Sequence, residues 1–174
     1  VAAALYFIKK ITRRRISMAA PNITIVNDLD TTIASWDCGT VQANTDSGIL
    51  TMMIWNNRGG GTAVSDLKDV SITALDVDGG SITDVVAGKW TQINVPAVDG
   101  NSTTWTAIGG STTKMLRADG LASSDGSIIR GTVNDGALAT SKANYVSCRL
   151  KVHVPLNAQP GTKAWKMRIN GYYV

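Results

Sequence analysis

Short runs of β-branched and apolar residues alternate with turn clusters from Pro21 to the end of the chain. Ile23–Val26 and Ile33–Val41 read as strands separated by a polar stretch, and 49–55 (ILTMMIW) is apolar on both faces, as a central strand requires. It ends in Asn56-Asn57-Arg58-Gly59-Gly60-Gly61, where glycine frees the backbone for a loop. Val70–Val77 closes on Asp78-Gly79-Gly80, and Trp90–Val95 stops at Pro96, which cannot donate to a central ladder. Trp105–Ile108, Lys114–Ala118 and Ser127–Val133 are shorter runs flanked by Gly or Asp-Gly.

The C-terminal pair is the clearest. Val146, Cys148, Leu150, Val152 and Val154 alternate with Ser147, Arg149, Lys151 and His153. Beyond Pro155–Gly161, Trp165, Met167 and Ile169 alternate with Lys166, Arg168 and Asn170. A period of two with one apolar and one wet face predicts two half-buried strands, joined here as a hairpin. Arg149, Lys151, His153, Lys166 and Arg168 would then line one side of it, as a docking stripe for an acidic neighbour or as a solvated face that blocks edge-to-edge aggregation. With no repeat, heptad or internal linker, the expected fold is all-β: a single Ig-like or jelly-roll-like antiparallel sandwich over residues 18–174, built from roughly eight to ten strands.

Composition supports this. All 13 carboxylates are Asp, none is Glu, and 17 residues are Gly, which disfavours long helices and suits tight turns. The net charge is +4, but Lys9, Lys10, Arg13, Arg14 and Arg15 fall in a stretch of 17 residues without an acid. Of the 17 basic residues, 12 then remain against 13 acids, so residues 18–174 carry a net −1. The basic character therefore belongs to a short N-terminal arm, residues 1–17, and nucleic acid is not an expected partner except through that arm.

The arm admits three readings. Leu5, Ile8 and Ile11 stand at helical spacing, suiting an amphipathic segment docked on a neighbouring subunit. A basic tail facing nucleic acid or a membrane surface is the second. In the third, Met18 is the native start, because consecutive Arg codons resemble a bacterial ribosome-binding site. Positive charge follows the apolar stretch, the reverse of a secretory signal, and eight apolar residues are too few to span a bilayer, so neither export nor a membrane anchor is expected.

Candidate chemistry is sparse. His153 is the single histidine, which excludes a multi-histidine metal site, and it sits on the polar face of a regular strand. There is no GxSxG, and Gly59-Gly60-Gly61 lacks the Lys-Ser/Thr of a phosphate-binding loop. Asp28 and Asp30, Asp66 and Asp69, and Asp76 and Asp78 are close pairs that read as turn chemistry first, and as a weak calcium or glycosidase site second. Neither a metal nor another cofactor is expected. Cys38 and Cys148 lack a CxxC spacing and read as buried free thiols, with one long-range disulfide as the alternative. Trp55 and Trp165 belong to the core by their neighbours, whereas Trp90 and Trp105 adjoin polar runs and are candidates for stacking a glycan.

Two segments resemble Ig-like virion proteins of tailed bacteriophages and related contractile particles. One is Met53-Ile54-Trp55-Asn56-Asn57 before a Gly-rich loop. The other is Val154-Pro155-Leu156-Asn157-Ala158-Gln159-Pro160-Gly161-Thr162 followed by Lys166-Met167-Arg168-Ile169-Asn170-Gly171-Tyr172-Tyr173. The second also resembles extracellular Ig-like accessory modules. Antibody-type domains pair two cysteines across a Trp, with Tyr two residues before the second; here Tyr145 is three before Cys148 and the cysteines stand far apart, a departure that counts against an inter-sheet disulfide. The virion-protein resemblance implies a non-enzymatic structural subunit, a capsid decoration or a tail or baseplate component. Its partners would be other virion proteins and further copies of itself, with assembly in the cytoplasm of a host bacterium. The alternative is a carbohydrate-binding or adhesion module.

Overall fold

The computed structural model describes the backbone of residues 2–13 and 18–173, and the side chains of 18–173. The strands are β1 (Ala2–Arg13), β2 (Ile23–Asn27), β3 (Ser35–Thr40), β4 (Thr45–Asp46), β5 (Leu50–Asn56) and β6 (Leu67–Asp76), followed by β7 (Thr91–Asn94), β8 (Thr106–Ile108), β9 (Lys114–Met115), β10 (Ile128–Ile129), β11 (Tyr145–Val154) and β12 (Lys163–Tyr173). They form two sheets. The first runs β10-β6-β12-β1-β3 with β9 also on β6, and the second runs β2-β5-β11-β7-β8 with β4 also on β11. Every pairing is antiparallel except β1 with β12. The chain is thus an all-β sandwich, as its alternation predicts. Among the described residues no helix is long and apolar enough to cross a membrane.

The core is the inner face of both sheets. Met52 and Ile54 of β5, Ile72 and Ala74 of β6, Ile93 of β7, Cys148, Leu150 and Val152 of β11, and Trp165, Met167 and Ile169 of β12 all belong to one buried cluster. The doubly apolar β5 is explained by a second, smaller cluster. Met53 and Trp55 pack with Val26 and Tyr145 on the other face, where the Tyr145 hydroxyl donates to the Leu138 carbonyl of an overlying loop.

The expected C-terminal hairpin is corrected. β11 pairs with β5 and β7 in one sheet, and β12 pairs with β6 and β1 in the other. Residues 155–162 therefore form an arch between the sheets. An arch and a hairpin demand the same alternation, because in both the apolar residues meet. In a hairpin they lie side by side; in an arch they face each other across roughly 10 Å of core. The longer, Pro-containing connection suits the arch.

The arm is also corrected. Over residues 2–13 it is neither helical nor free-standing but a strand within the first sheet, with Leu5 in register with Trp165 and Phe7 with Met167. Arg14 and Arg15 lie outside the described residues. The shorter expected strands shrink to pairs or triplets at β8, β9 and β10, and two single-turn helices enter: α1 (Asp84–Ala87) and α2 (Pro96–Asp99). Pro96 stops the preceding strand by opening α2, where a missing N–H costs nothing. Neither cysteine is disulfide-bonded: Cys38 is half-buried in β3, and Cys148 is buried in the opposite sheet.

Leu150 and Leu156 flank the end of β11, the first fully buried and the second 77% exposed. Leu150→Ala is expected to cost about 2–5 kcal/mol in chemical denaturation, and Leu156→Ala within about 0.5 kcal/mol of zero. Equal losses would contradict the burial of Leu150 in the core and the exposure of Leu156.

Candidate functional site

Alternation along β11 turns Arg149, Lys151 and His153 to the outer face of the second sheet. Trp105, just ahead of β8, lies against them: its ring centroid is 4.7 Å from Lys151 Nζ and 5.6 Å from the Arg149 guanidinium carbon. Arg149 also donates to the Ser102 carbonyl at 2.5 Å. β4 then places Asp46 between Lys151 Nζ, at 2.6 Å, and His153 Nδ1, at 2.7 Å. The hydrogen bond from Lys151, aided by His153 against a small burial penalty, holds the Asp46 carboxyl below its usual range. Asp46 offsets one positive charge of the cluster, and ion pairs near the surface contribute about 0–1 kcal/mol each. An imidazole beside a carboxylate suggests a base and its orienting group. Among the described hydrogen bonds, the His153 ring is joined to the Asp46 carboxylate and to no hydroxyl or thiol.

Lys166 and Arg168 belong elsewhere. They project from β12, on the outer face of the first sheet, so the single basic stripe expected of a hairpin is corrected to two groups on opposite sides of the sandwich. Lys166 Nζ donates to the Val77 carbonyl at 2.5 Å. Arg168 has no ion-pair partner among the described residues. β1 runs alongside, with Ile8 in register with Arg168 and Lys10 with Asn170, while Lys9 and Arg13 fall beside Ile169 and Tyr173. Part of the basic arm thus runs in backbone register with β12.

Trp90 is 4% exposed and closes one end of the sandwich, contrary to its polar sequence neighbours. Beside it is a cleft of about 410 Å³, bordered by Asp84, Pro155, Asn157, Ala158 and Gln159. Lys163 reaches Asp84 at 2.7 Å, with its ammonium 6.0 Å from the Trp90 centroid. Trp105 is half-buried with two cations against its ring, contacts that a stacked sugar would have to displace.

The aspartates work as loop staples. Burial pushes the Asp76 carboxyl up, but the Thr83 hydroxyl and the Ile82 and Thr83 N–H groups outweigh that and hold it low. Asp78 accepts from Gly80 N at 2.9 Å, Asp66 from Arg130 and Gly131 N at 2.8 Å each, and Asp30 pairs with Arg58. Burial raises Asp119 despite its bonds from Ser147. Among the described residues no group of three or more His, Cys or Asp could hold a metal ion.

Asn56 and Asn57, which the sequence places only at the start of a loop, are both buried brackets. Asn56 Nδ2 donates to the Ser65 and Ile129 carbonyls, and Asn57 Nδ2 to those of Thr62, Gly131 and Thr132. Gly131 is required at this crossing, because a Cβ there would lie 2.2 Å from the Val64 carbonyl oxygen. The signal was the position of the two amides, directly after an apolar central strand, where ladder bonds end but burial continues.

No protein-family model matches the chain, and no curated protein is significantly similar to it.

Asp135 borders a polar groove of about 600 Å³ and accepts from Ala137 N, Thr140 Oγ1 and Ser141 Oγ at 2.7–3.0 Å. These bonds, the Ala137 N–H foremost, pull its carboxyl down to about 2. A carboxyl depressed on folding stabilises above its unfolded value of about 3.9 and loses that contribution as pH falls through its folded value. The urea midpoint of the wild type should therefore drop more steeply between about pH 4 and pH 2 than that of Asp135→Asn. Identical slopes would contradict the staple.

Proposed function

We propose that this protein is a non-enzymatic structural subunit of a bacteriophage virion, decorating a capsid or forming part of a tail or baseplate. It would act through shape-complementary contacts in a multi-copy assembly, where modest affinities multiply. What carries this reading is the use of the candidate chemical groups. His153 and most members of the Asp pairs are engaged as staples between strands and loops, which leaves faces and edges as the working surfaces. The segments that resemble phage virion proteins support it from another side. They supply the end of β5, the arch and most of β12, the frame of the sandwich.

Its partners are other virion proteins and further copies of itself, met during assembly in the bacterial cytoplasm, and any contact with nucleic acid runs through the arm. The carbohydrate-binding alternative retains one specific location, the cleft beside Trp90, since Trp105 is already occupied by Arg149 and Lys151. Quenching of intrinsic tryptophan fluorescence by a glycan, lost in Trp90→Phe, would favour it.

Mass spectrometry of gradient-purified particles from the encoding bacterium is expected to find this polypeptide at multi-copy stoichiometry beside capsid or tail proteins. Its absence from particles, while it accumulates free in the cell, would sink the proposal. Deleting residues 1–17 should lower occupancy on particles; unchanged occupancy removes the arm from the contact set.

A further inference from the structure

We propose that β1 is an exchangeable strand: residues 2–13 of one copy fill the slot between β12 and β3 of a second copy, linking subunits through a shared sheet. The slot is built to receive a strand. β1 pairs with β12 over the whole of Ala3–Arg13, and on its other side with β3 through Ala2, Ala4, Leu5 and Tyr6. Among the described strands β3 pairs with no other. Withdrawing β1 would strip β3 of its ladder and bare one edge of β12, and a long open edge recruits any compatible strand.

The pairing geometry and the sequence of β1 both weaken its hold on its own copy. It makes the one parallel pairing among the described strands, a geometry slightly weaker per residue than the antiparallel one. Its opening Ala2-Ala3-Ala4 has low strand propensity. The register divides it into unequal halves. Leu5 and Phe7 fall beside the core residues Trp165 and Met167, and this half is gripped by both β12 and β3. Lys9 falls beside the core residue Ile169 and Arg13 beside the buried Tyr173, and this half is held by β12 alone. The charged half is therefore the end at which the strand peels away. Re-insertion into a second copy restores every pairing lost, so exchange between copies costs no contact and is driven by concentration. The proposal stands whether or not the protein is a virion component.

Ala4 and Ala164 are register partners across β1 and β12, at a spacing a disulfide can bridge. In a full-length Cys38→Ser background, Ala4→Cys and Ala164→Cys are purified separately, mixed at high concentration, incubated and oxidised. A covalent heterodimer at twice the chain mass is expected, in excess over a mixture of Ala4→Cys with the off-register, exposed Ala122→Cys. The double variant Ala4→Cys/Ala164→Cys checks the strand's place in the slot. A double variant that closes its bond within a monomer, with no heterodimer from the mixed singles, overturns the exchange. Failure of both to bond overturns it too, because the strand is then not in the slot.

Discussion

The crossing of the chain from β11 to β12 is the constraint on which the rest of the sandwich depends. It places one long alternating strand in the middle of each sheet, and their apolar faces, Leu150 and its neighbours on one side and Trp165, Met167 and Ile169 on the other, join the same core. Each strand then templates its own sheet: β5 and β7 flank β11, and β6 and β1 flank β12. A slip of one residue in either would turn its buried set into solvent, so both registers are set by the same burial. The indole N–H groups of Trp55 and Trp165 show how far packing dominates, since both are buried without a hydrogen-bond partner. Leaving such a donor unpaired costs about 1–3 kcal/mol. Burying about 200 Å² of indole returns about 5 kcal/mol.

Where the ladders stop, side-chain amides and carboxylates take over their work. β9 and β10 pair over only two residues each, yet the segments around them stay buried. Asn56 and Asn57 gather carbonyls from residues 62–65 and 129–132, and Asp66 answers with bonds from Arg130 and Gly131. Buried backbone groups without a strand partner must find another, and a carboxamide offers two donors and an acceptor in a compact unit. The Asn-Asn after the central strand is thus a joint between loops, which explains why the Gly-rich stretch beyond it can turn so tightly.

The positions of β5, β6, β7, β11 and β12 were legible because period-two burial leaves a mark in any chain that folds this way. Their assignment to sheets was not, since the alternation of Leu150 and Trp165 is the same for neighbours in a sheet and for residues opposed across a core. Leu5, Ile8 and Ile11 recur at a helical interval, but Leu5 and Phe7, two apart, are the residues that register with Trp165 and Met167, so the available partner outweighed the local pattern. Trp90 misled for a related reason: its neighbours in sequence are polar, while in space it belongs to the buried core cluster. The aspartates were legible as turn residues, because an Asx side chain bonds its own loop wherever it stands beside glycine.

The two outer faces differ in charge in a way that segment-by-segment counting conceals. Counting assigns the basic surplus to an arm and leaves a nearly neutral body. With β1 inside the first sheet, however, Lys10 falls beside Asn170, one outward position along from Arg168, and the surplus becomes part of a sheet. Across the sandwich, Asp46 pairs with both Lys151 and His153. β1 is held in the first sheet by its backbone ladder, to β12 over Ala3–Arg13 and to β3 at its opening residues.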